Sequence, residues 1–520
     1  MSTPLRSLAA GEPRAVVIGA GVGGLAAAVD LANAGCEVTL VEQSDAPGGK
    51  LRQVTVGEAP MDAGPTVFTM RDAFESLFAD SGVRLEEHLS LHPLERLARH
   101  AWTDGSQLDL FADPERSAEA IGELAGAGEA RRFRAFCARA AEIHDTLDRT
   151  FMRAQRPNPI SLTHRVGYRH LPALARISPF RSLWRALGNY FHDGRLRQLY
   201  GRYATYCGSS PFRAPATLML IAHVESQGVW WVEGGMHRLA QALAELAARV
   251  GVTVRYRTPA ARIETEHGRT AGVRLADGTR LPADLIVSNT DAAAIADGHL
   301  GPEVQRAIPG QPPRERSQSA ITWNALATAR GLPLHHHTVL FSSDYADEFD
   351  AVFRRGEPPP EPTVYICAQD RHDDETPDGP ERFLILVNAP ARGDHRPLSE
   401  TEIEQCRQST HAMLERCGVT LHPEAQRPCV TTPNDFDRLF PGTGGALYGM
   451  ASHGWQASFR RPAAATRVPG LYLAGGSAHP GAGVPMALIS GRLAAEQALS
   501  DLTSATRSRR VAMPGGTSTP

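Results

Sequence analysis

The 520-residue sequence contains almost no lysine and no regularly spaced cysteines. Lys50 is the only lysine among 54 basic residues, and all the others are arginines. Seven cysteines occur without any Cys-x-x-Cys spacing, which argues against a zinc site or a disulfide framework. No His-Glu-x-x-His pattern is present, so the sequence predicts no metal site. The formal net charge is only −3, and nothing in this balance indicates a nucleic-acid partner.

Long apolar runs are also missing. No run approaches the roughly 20 residues that are needed to cross a bilayer. The sequence passes almost directly into its first expected strand, with no signal peptide in between. We therefore expect a cytoplasmic or peripherally bound protein. The length predicts two or three interlocked domains with a large core.

A glycine-rich turn near the N-terminus is the first local signal. The apolar run 15–18 is followed by Gly19, Gly21 and Gly24, and then by a helical run. In this context Gly19 makes the tight turn, Gly21 lets the backbone approach a pyrophosphate, and Gly24 lets the helix pack on the strand. Glu42 ends the next predicted strand, where an acidic residue binds a ribose diol. Together these features predict a dinucleotide-binding fold.

A second glycine-rich segment lies near the C-terminus, at 470–491. Its residues 471–474 predict a short buried strand, and the glycines that follow let the backbone pass close to a bulky ligand. A helix is expected to begin near Pro485, with its free N–H groups directed at negative charge. The residues predicted to contact the ligand here are Gly475, Gly476, Gly483, Val484, Pro485 and Met486.

Two further motifs resemble the flavin-containing amine oxidase and carotenoid desaturase superfamily. They are Gly48-Gly49-Lys50 and Asp62-Ala-Gly-Pro65-Thr66. The resemblance implies FAD as the cofactor and adds Gly49, Lys50, Pro65 and Thr66 to its predicted contacts. Over nearly its whole length, through 206–216, 230–239 and 336–342, the chain resembles the bacterial-type phytoene desaturases. Segments 65–71 and 475–487 are most similar to the hydroxyneurosporene desaturases of purple bacteria.

This resemblance implies an enzyme of carotenoid biosynthesis. Its expected reaction introduces a C-3,4 double bond into 1-hydroxy or 1-methoxy carotenoids such as hydroxyneurosporene, by hydride transfer to flavin N5 and loss of a proton. Oxygen or a membrane quinone is the expected electron acceptor. Three alternatives stay open: a multi-step phytoene desaturase, a carotenoid isomerase, and a non-catalytic lipid-binding module like the Rab escort proteins. The oligomeric state is not predicted.

The acid or base residue is the least specified part of the site. His223 and Glu225 precede a Trp-Trp pair and are the candidates, although a structural role is the competing interpretation for each. His479 is expected to hydrogen-bond the C-terminal glycine segment or the cofactor. The histidines at 335–337 cannot all share one face of a strand, so they do not predict a metal site.

We expect an α/β fold, with a Rossmann-like FAD-binding domain of the amine-oxidase type, a mixed α+β substrate domain and a helical, basic, membrane-contacting region. Region 151–202 has ten arginines against one acidic residue, Asp193, interleaved with apolar residues. That mixture suits an anionic membrane, here the cytoplasmic face of the inner membrane, although a solvated helical face has the same composition. The predicted segments are FAD-binding 1–105, 228–300 and 441–503, helical substrate or membrane region 106–227, substrate domain 301–440 and disordered tail 504–520.

Overall fold

The computed structural model describes residues 12–166, 180–372 and 377–511. Helices occupy Val22–Asn33 (α1), Arg71–Asp80 (α2), Pro114–Ala125 (α3), Ala127–Leu147 (α4), Pro159–Val166 (α5), Leu183–Leu187 (α6), Gly194–Gly201 (α7), Leu220–Ser226 (α8), His237–Arg249 (α9), Ala292–Ala296 (α10), Pro302–Gln305 (α11), Tyr345–Asp350 (α12), Glu400–Arg416 (α13), Pro433–Leu439 (α14), Ala457–Arg460 (α15) and Val484–Val511 (α16). None of these helices is both long enough and apolar enough to span a membrane.

The strands occupy Arg14–Ile18 (β1), Glu37–Val41 (β2), Gln53–Val56 (β3), Ala59–Asp62 (β4), Leu91–Pro93 (β5), Arg96–Trp102 (β6), Gln107–Phe111 (β7), Trp230–Val232 (β8), Thr253–Arg255 (β9), Ala260–Glu266 (β10), Arg269–Leu275 (β11), Arg280–Pro282 (β12), Leu285–Ser288 (β13), Ser319–Gly331 (β14), His337–Phe341 (β15), Val364–Ala368 (β16), Glu381–Ala389 (β17), Val419–Pro423 (β18), Cys429–Thr431 (β19) and Leu471–Leu473 (β20).

A parallel five-stranded sheet, in the order β20-β13-β1-β2-β9, forms the centre of the first layer. Both faces of this sheet are covered by packed residues. This burial explains why β1 and β13 consist mainly of consecutive apolar residues. Helices α1, α9 and α16 pack on one face around a core that includes Leu25, Leu243 and Leu488. Strands from 1–105, 228–300 and 441–503 thus meet in one sheet, although the predicted domain boundaries themselves stay predictions.

A second, mixed sheet has the order β18-β14-β17-β16-β15-β6-β7, with β19 pairing alongside β14. Its pairs are antiparallel except for β15 with β6, which are parallel. Helices of the stretch 114–226 pack on one side of this sheet around aromatic residues that include Phe136, Tyr200 and Phe341. The fold is therefore α/β, with a dinucleotide-type layer beside a mixed layer, as the sequence predicted.

The C-terminal helix is longer than expected. It ends at Val511, inside the segment 504–520 for which disorder is predicted, and the disorder itself stays a prediction. No glycine or proline interrupts the sequence between Gly491 and Pro514, and a helix already packed at its start can propagate through such a stretch. The rest of the predicted tail, 512–520, lies outside the described residues.

Candidate cofactor and substrate site

One cavity of about 1330 Å³ lies between the two sheets. It exceeds the range of about 300–1,000 Å³ that is usual for a single small-ligand pocket, so it has room for two ligands side by side. Most of the predicted cofactor contacts line it, namely Gly19, Gly21, Glu42, Gly49, Lys50, Pro65, Thr66, Gly475, Gly476, Gly483, Val484, Pro485 and Met486. Gly24 does not line the cavity.

The first glycine turn shows why glycine is needed there. Gly19 follows β1 with φ at +98°, a conformation that suits glycine. A Cβ atom on Gly24 would lie 2.1 Å from the carbonyl oxygen of Gly19, so Gly24 permits the close helix–strand packing that its spacing predicts. A Cβ atom on Gly21 would lie 2.4 Å from Oδ1 of Asn289, which fills the space beside the turn.

Glu42 is held at the end of β2 by two backbone donors. Its Oε2 accepts a hydrogen bond from the N–H of Ala20 at 2.7 Å, and its Oε1 accepts one from the N–H of Ser44 at 2.8 Å. The side chain is only 6% exposed, and it lines the cavity. A fixed carboxylate with lone pairs left over suits the two hydroxyl donors of a ribose.

Two cations line the cavity, the partly buried Lys50 and the buried Arg461. Nζ of Lys50 donates to the carbonyl of Leu447 at 2.7 Å. Arg461 donates to the carbonyls of Tyr448, Met450 and Gly476 at 2.8–3.0 Å and thereby ties the loop before α15 to the C-terminal glycine segment. Burial lowers the pKa of both cations. Positive charge at this depth favours an anionic group such as a pyrophosphate.

The C-terminal glycine segment closes the cavity from the other side. It follows β20, and α16 begins at Val484, so the first turn of the helix faces the cavity. His479 does not face the ligand space as an acid or base would. Its Nε2 donates to the carbonyls of Phe151 and Ala154 at 3.0 and 2.9 Å, and burial lowers its pKa to about 4. This histidine joins the C-terminal glycine segment to the helical region, whereas the sequence predicts that its side chain bonds that segment itself or the cofactor.

These features fit FAD. The glycine turn admits a pyrophosphate, Glu42 offers acceptors to a ribose, and free N–H groups at the start of α16 suit the electron-rich end of a flavin ring.

The remaining part of the cavity is mainly apolar. Its walls come from α4, α5, α8 and β17, and include Leu147, Leu162, Ile221, Leu384 and Leu386. We call this apolar part the channel. Phe180 and Trp455 also line the cavity, their rings are 5.3 Å apart, and we call this exposed part of the wall the rim. Phe180 is 77% exposed and Trp455 is 37% exposed. A long apolar chain can therefore enter at the rim and extend towards the cofactor space.

The inner end of the channel is polar. Here Arg202, Tyr206, Glu225 and Tyr365 line the cavity close to Thr66. The hydroxyl of Tyr203 donates to Oε2 of Glu225 at 2.5 Å. Burial raises the pKa of Glu225, and the hydrogen bonds from its tyrosine neighbours and the charge of Arg202 oppose that rise. We call Arg202, Tyr206, Glu225 and Tyr365 the inner polar cluster.

The two predicted acid or base candidates, His223 and Glu225, differ in whether they line the cavity. Glu225 is buried and lines the cavity, whereas His223, on the same short helix α8, does not line it. His223 instead packs its ring 4.8 Å from that of His144. The structure thus leaves Glu225 as the candidate that can reach a ligand.

The three consecutive histidines lie near a cysteine that comes from another strand. His336, His337 and Cys367 are buried, with their potential ligand atoms within 4.8 Å of one another, because β15 pairs with β16. Nδ1 of His336 donates to the carbonyls of Ala368 and Arg371. Burial raises the pKa of the Cys367 thiol, and this disfavours the thiolate that a metal would bind.

Sequence reasoning missed several residues of the site. Asn289 packs against the first glycine turn and donates from Nδ2 to the carbonyl of Ala474 at 3.0 Å. Arg461, Arg202 and Tyr365 come from segments with no recognisable motif. Their only sequence signal is charge or a hydroxyl within an otherwise apolar element, which many surface residues share.

Comparisons with known proteins agree with this geometry. Residues 22–499 match the family described as flavin containing amine oxidoreductase. The hydroxyneurosporene desaturase of Rubrivivax gelatinosus is 52% identical over 521 residues, covering 100% of this chain and 98% of that protein. The hydroxyneurosporene desaturase of Cereibacter sphaeroides is 49% identical over 497 residues, covering 95% and 99%. A redesigned triple mutant of putrescine oxidase superposes with a TM-score of 0.59 at 16% identity, covering 95% of this chain and 99% of that structure, and this likeness shows the fold alone.

Proposed function

The chain belongs to the family of flavin-containing amine oxidoreductases, and on that premise we propose that it is an FAD-dependent carotenoid desaturase. It introduces the C-3,4 double bond into 1-hydroxy or 1-methoxy carotenoids. The observation that carries this conclusion is the end-to-end similarity to two hydroxyneurosporene desaturases. The apolar channel that joins the predicted flavin space supports it, because a long hydrocarbon needs such a channel.

FAD, when bound, supplies the two-electron oxidant for the reaction. The residues of the chain bind the cofactor, orient the substrate and exclude water from the cavity. Glu42 and the glycine turns hold the nucleotide end, while the apolar walls align the polyene with the flavin space and keep water out. Glu225 is the candidate acceptor for the proton that the substrate loses, because it lines the cavity and its pKa is raised.

A product assay tests the function directly. The FAD-loaded protein in liposomes receives 1-hydroxyneurosporene or phytoene in separate reactions, and absorption spectra are recorded after chromatography. Selective conversion of the hydroxylated substrate, with a red shift from one added double bond, is expected. Conversion of phytoene alone would assign the chain to the phytoene desaturases. A change of isomer without longer conjugation would indicate an isomerase, and binding without any product would indicate a lipid-binding module.

We further propose that the channel rim docks on the cytoplasmic face of the inner membrane. Phe180 of the rim and Ile160 are 77% and 82% exposed, and Arg165, Arg181 and Arg185 of the same basic region are exposed as well. Other arginines of the predicted basic region face inward or pair locally: Arg153 with Asp72 and Asp148, Arg195 with Asp193, and Arg202 in the channel. All seven cysteines are free thiols, which suits a reducing compartment.

Vesicle sedimentation tests the docking. Removing two exposed apolar side chains with the pair Ile160→Ser and Phe180→Ser should weaken binding to phosphatidylglycerol vesicles about tenfold or more, since burying each such side chain contributes about 1.5–3 kcal/mol. Val430→Ser is the matched control, because Val430 is exposed but lies on β19 and does not line the cavity. Equal loss in both proteins, or no loss in either, would refute docking through this rim.

Oxygen or a membrane quinone is the electron acceptor that we propose. Among the described strands one parallel sheet of the dinucleotide-binding kind is present, and its glycine turn is assigned to FAD, which leaves the acceptor to come from solution or membrane. Turnover without oxygen that requires a quinone in the liposomes would identify the quinone, whereas turnover that requires oxygen in quinone-free liposomes would identify oxygen.

A further inference from the structure

Arg202 is a cation inside the channel. It lies in the short 3₁₀ helix Arg202–Cys207 and lines the cavity. One of its terminal nitrogens donates to the hydroxyl of Tyr206 at 3.2 Å, and its guanidinium carbon lies 5.2 and 5.3 Å from the ring centres of Tyr206 and Tyr365. No carboxylate within 12–166, 180–372 and 377–511 forms a salt bridge with it.

The surroundings keep this side chain charged and fixed. Burial alone lowers the pKa of Arg202, but Tyr206, Tyr365 and Glu225 together outweigh burial and raise it. Glu225 accepts hydrogen bonds from the hydroxyls of Tyr203 and Tyr206, so the carboxylate steadies the tyrosine that receives the Arg202 bond. A guanidinium has five N–H donors, and one of those of Arg202 is bonded to the Tyr206 hydroxyl. Because the side chain lines the cavity, a ligand oxygen there could accept from its remaining donors.

The inner polar cluster lies close to the loop that is predicted to line the flavin, and this position bears on which part of a substrate it can contact. Tyr365 hydrogen-bonds Thr66 at 2.6 Å between their hydroxyl oxygens, and Thr66 belongs to the loop that is predicted to line the flavin. In the proposed substrate the oxygen on C1 lies only about 4 Å from the C3–C4 bond, because carbon–carbon bonds are about 1.5 Å long. A group that recognises this oxygen must therefore lie beside the reacting bond, at the inner end of the channel.

We propose that Arg202 donates hydrogen bonds to the oxygen on C1 of the carotenoid and so selects oxygenated chain ends. This inference rests on the proposed function and names the residue that sets its specificity. The oxygenated end enters first, the inner polar cluster stops it, and the C3–C4 bond then lies beside the flavin space while the rest of the polyene fills the apolar channel. Tyr206 and Tyr365 are positioning residues, since they act by holding the guanidinium.

The chemistry of arginine explains the range of substrates that this site admits. Arginine only donates hydrogen bonds, so it binds a hydroxyl oxygen and a methoxy oxygen alike. A hydrocarbon end without oxygen would cover the guanidinium and leave its donors unpaired, which is costly in an apolar channel. The site thus selects against a non-oxygenated carotenoid such as neurosporene as well as in favour of an oxygenated one.

The test compares Arg202→Met with Arg197→Met. Arg197 is a matched control, because it stacks over the ring of Trp184 at 4.5 Å and does not line the cavity. Each protein is loaded with FAD, and its melting temperature and flavin absorption are checked first. Binding of 1-hydroxyneurosporene and of neurosporene in liposomes is then measured by quenching of protein fluorescence, and turnover is measured by chromatography. Arg202→Lys, which keeps the charge but loses the forked donor, is included as the conservative variant.

In Arg202→Met, kcat/KM and affinity for 1-hydroxyneurosporene should fall about 10- to 100-fold, the worth of a charge-assisted hydrogen bond. Values for neurosporene should stay the same or rise, Arg202→Lys should fall between, and Arg197→Met should match the wild type. Equal losses on both carotenoids, or retained selectivity, would overturn the inference while leaving the desaturase function intact. Selective binding of the hydroxylated carotenoid without any turnover would instead refute the proposed function and keep the oxygen site. Binding of neither carotenoid would refute both.

Discussion

Replacing Glu42 by Gln should weaken FAD binding strongly while leaving the fold in place. The carboxylate accepts the N–H groups of Ala20 and Ser44 and keeps lone pairs for the ribose. An amide of the same shape keeps one oxygen and turns an NH₂ group towards a backbone donor. Hydrogen bonds to a charged group contribute about 1.5–3 kcal/mol, so the Kd for FAD should rise about 10- to 150-fold.

The measurement is a titration of the apoprotein with FAD, followed by flavin fluorescence. Glu37→Gln is the control, since Glu37 lies on the same strand β2 but is exposed. The apoprotein carrying Glu42→Gln should also unfold with a free energy lower by about 1–3 kcal/mol, because one buried N–H loses its acceptor. A Kd for FAD within twofold of that of Glu37→Gln would refute the assignment of Glu42 to the ribose.

Two more outcomes are expected. Gly24→Ala should lose FAD binding and lower the free energy of unfolding by about 1–3 kcal/mol or more, because the new Cβ meets the Gly19 carbonyl. Gly310→Ala is the control, since the space around Gly310 is open, and it should bind FAD normally in the same titration. His479, whose pKa burial lowers to about 4, should contribute stability above pH 6.5 that is lost as the pH falls towards 4. His479→Gln should therefore flatten the acid slope of urea-unfolding free energy by up to about 1.4 kcal/mol per pH unit, and an unchanged slope would contradict this.

The sequence predicts those parts of the site that are formed by one short, continuous segment. The turn of Gly19, Gly21 and Gly24 needs only a strand before it and a helix after it, and Glu42 is fixed by its distance along the chain from that turn. Such patterns can be recognised without knowing the tertiary fold. The same holds for the segment around Gly475, which carries its strand, its turn and its helix start together.

The inner polar cluster could not be predicted in this way. Arg202 reaches Tyr365 only because α7 leads into the channel wall and β16 lies in the mixed sheet beside it. The parallel pairing of β15 with β6 joins residues more than two hundred positions apart, and no local pattern fixes that choice of neighbour. Composition alone could not tell which arginines of 151–202 are exposed, and Arg153 and Arg195 form local ion pairs.

The parallel sheet combines strands that are far apart in the sequence and are therefore synthesised at different times. β1 lies between β2 and β13, and β13 in turn pairs with β20, which ends at Leu473. A Cβ on Gly491 in α16 would lie 2.1 Å from the carbonyl of Gly23 in α1, so the first and last helices interlock. The nascent chain thus exposes the turn around Gly19 well before the opposite wall of the cavity, at 475–487, has been made. The flavin can be enclosed only after that second segment has been added, so the structure implies that cofactor loading follows synthesis of both segments.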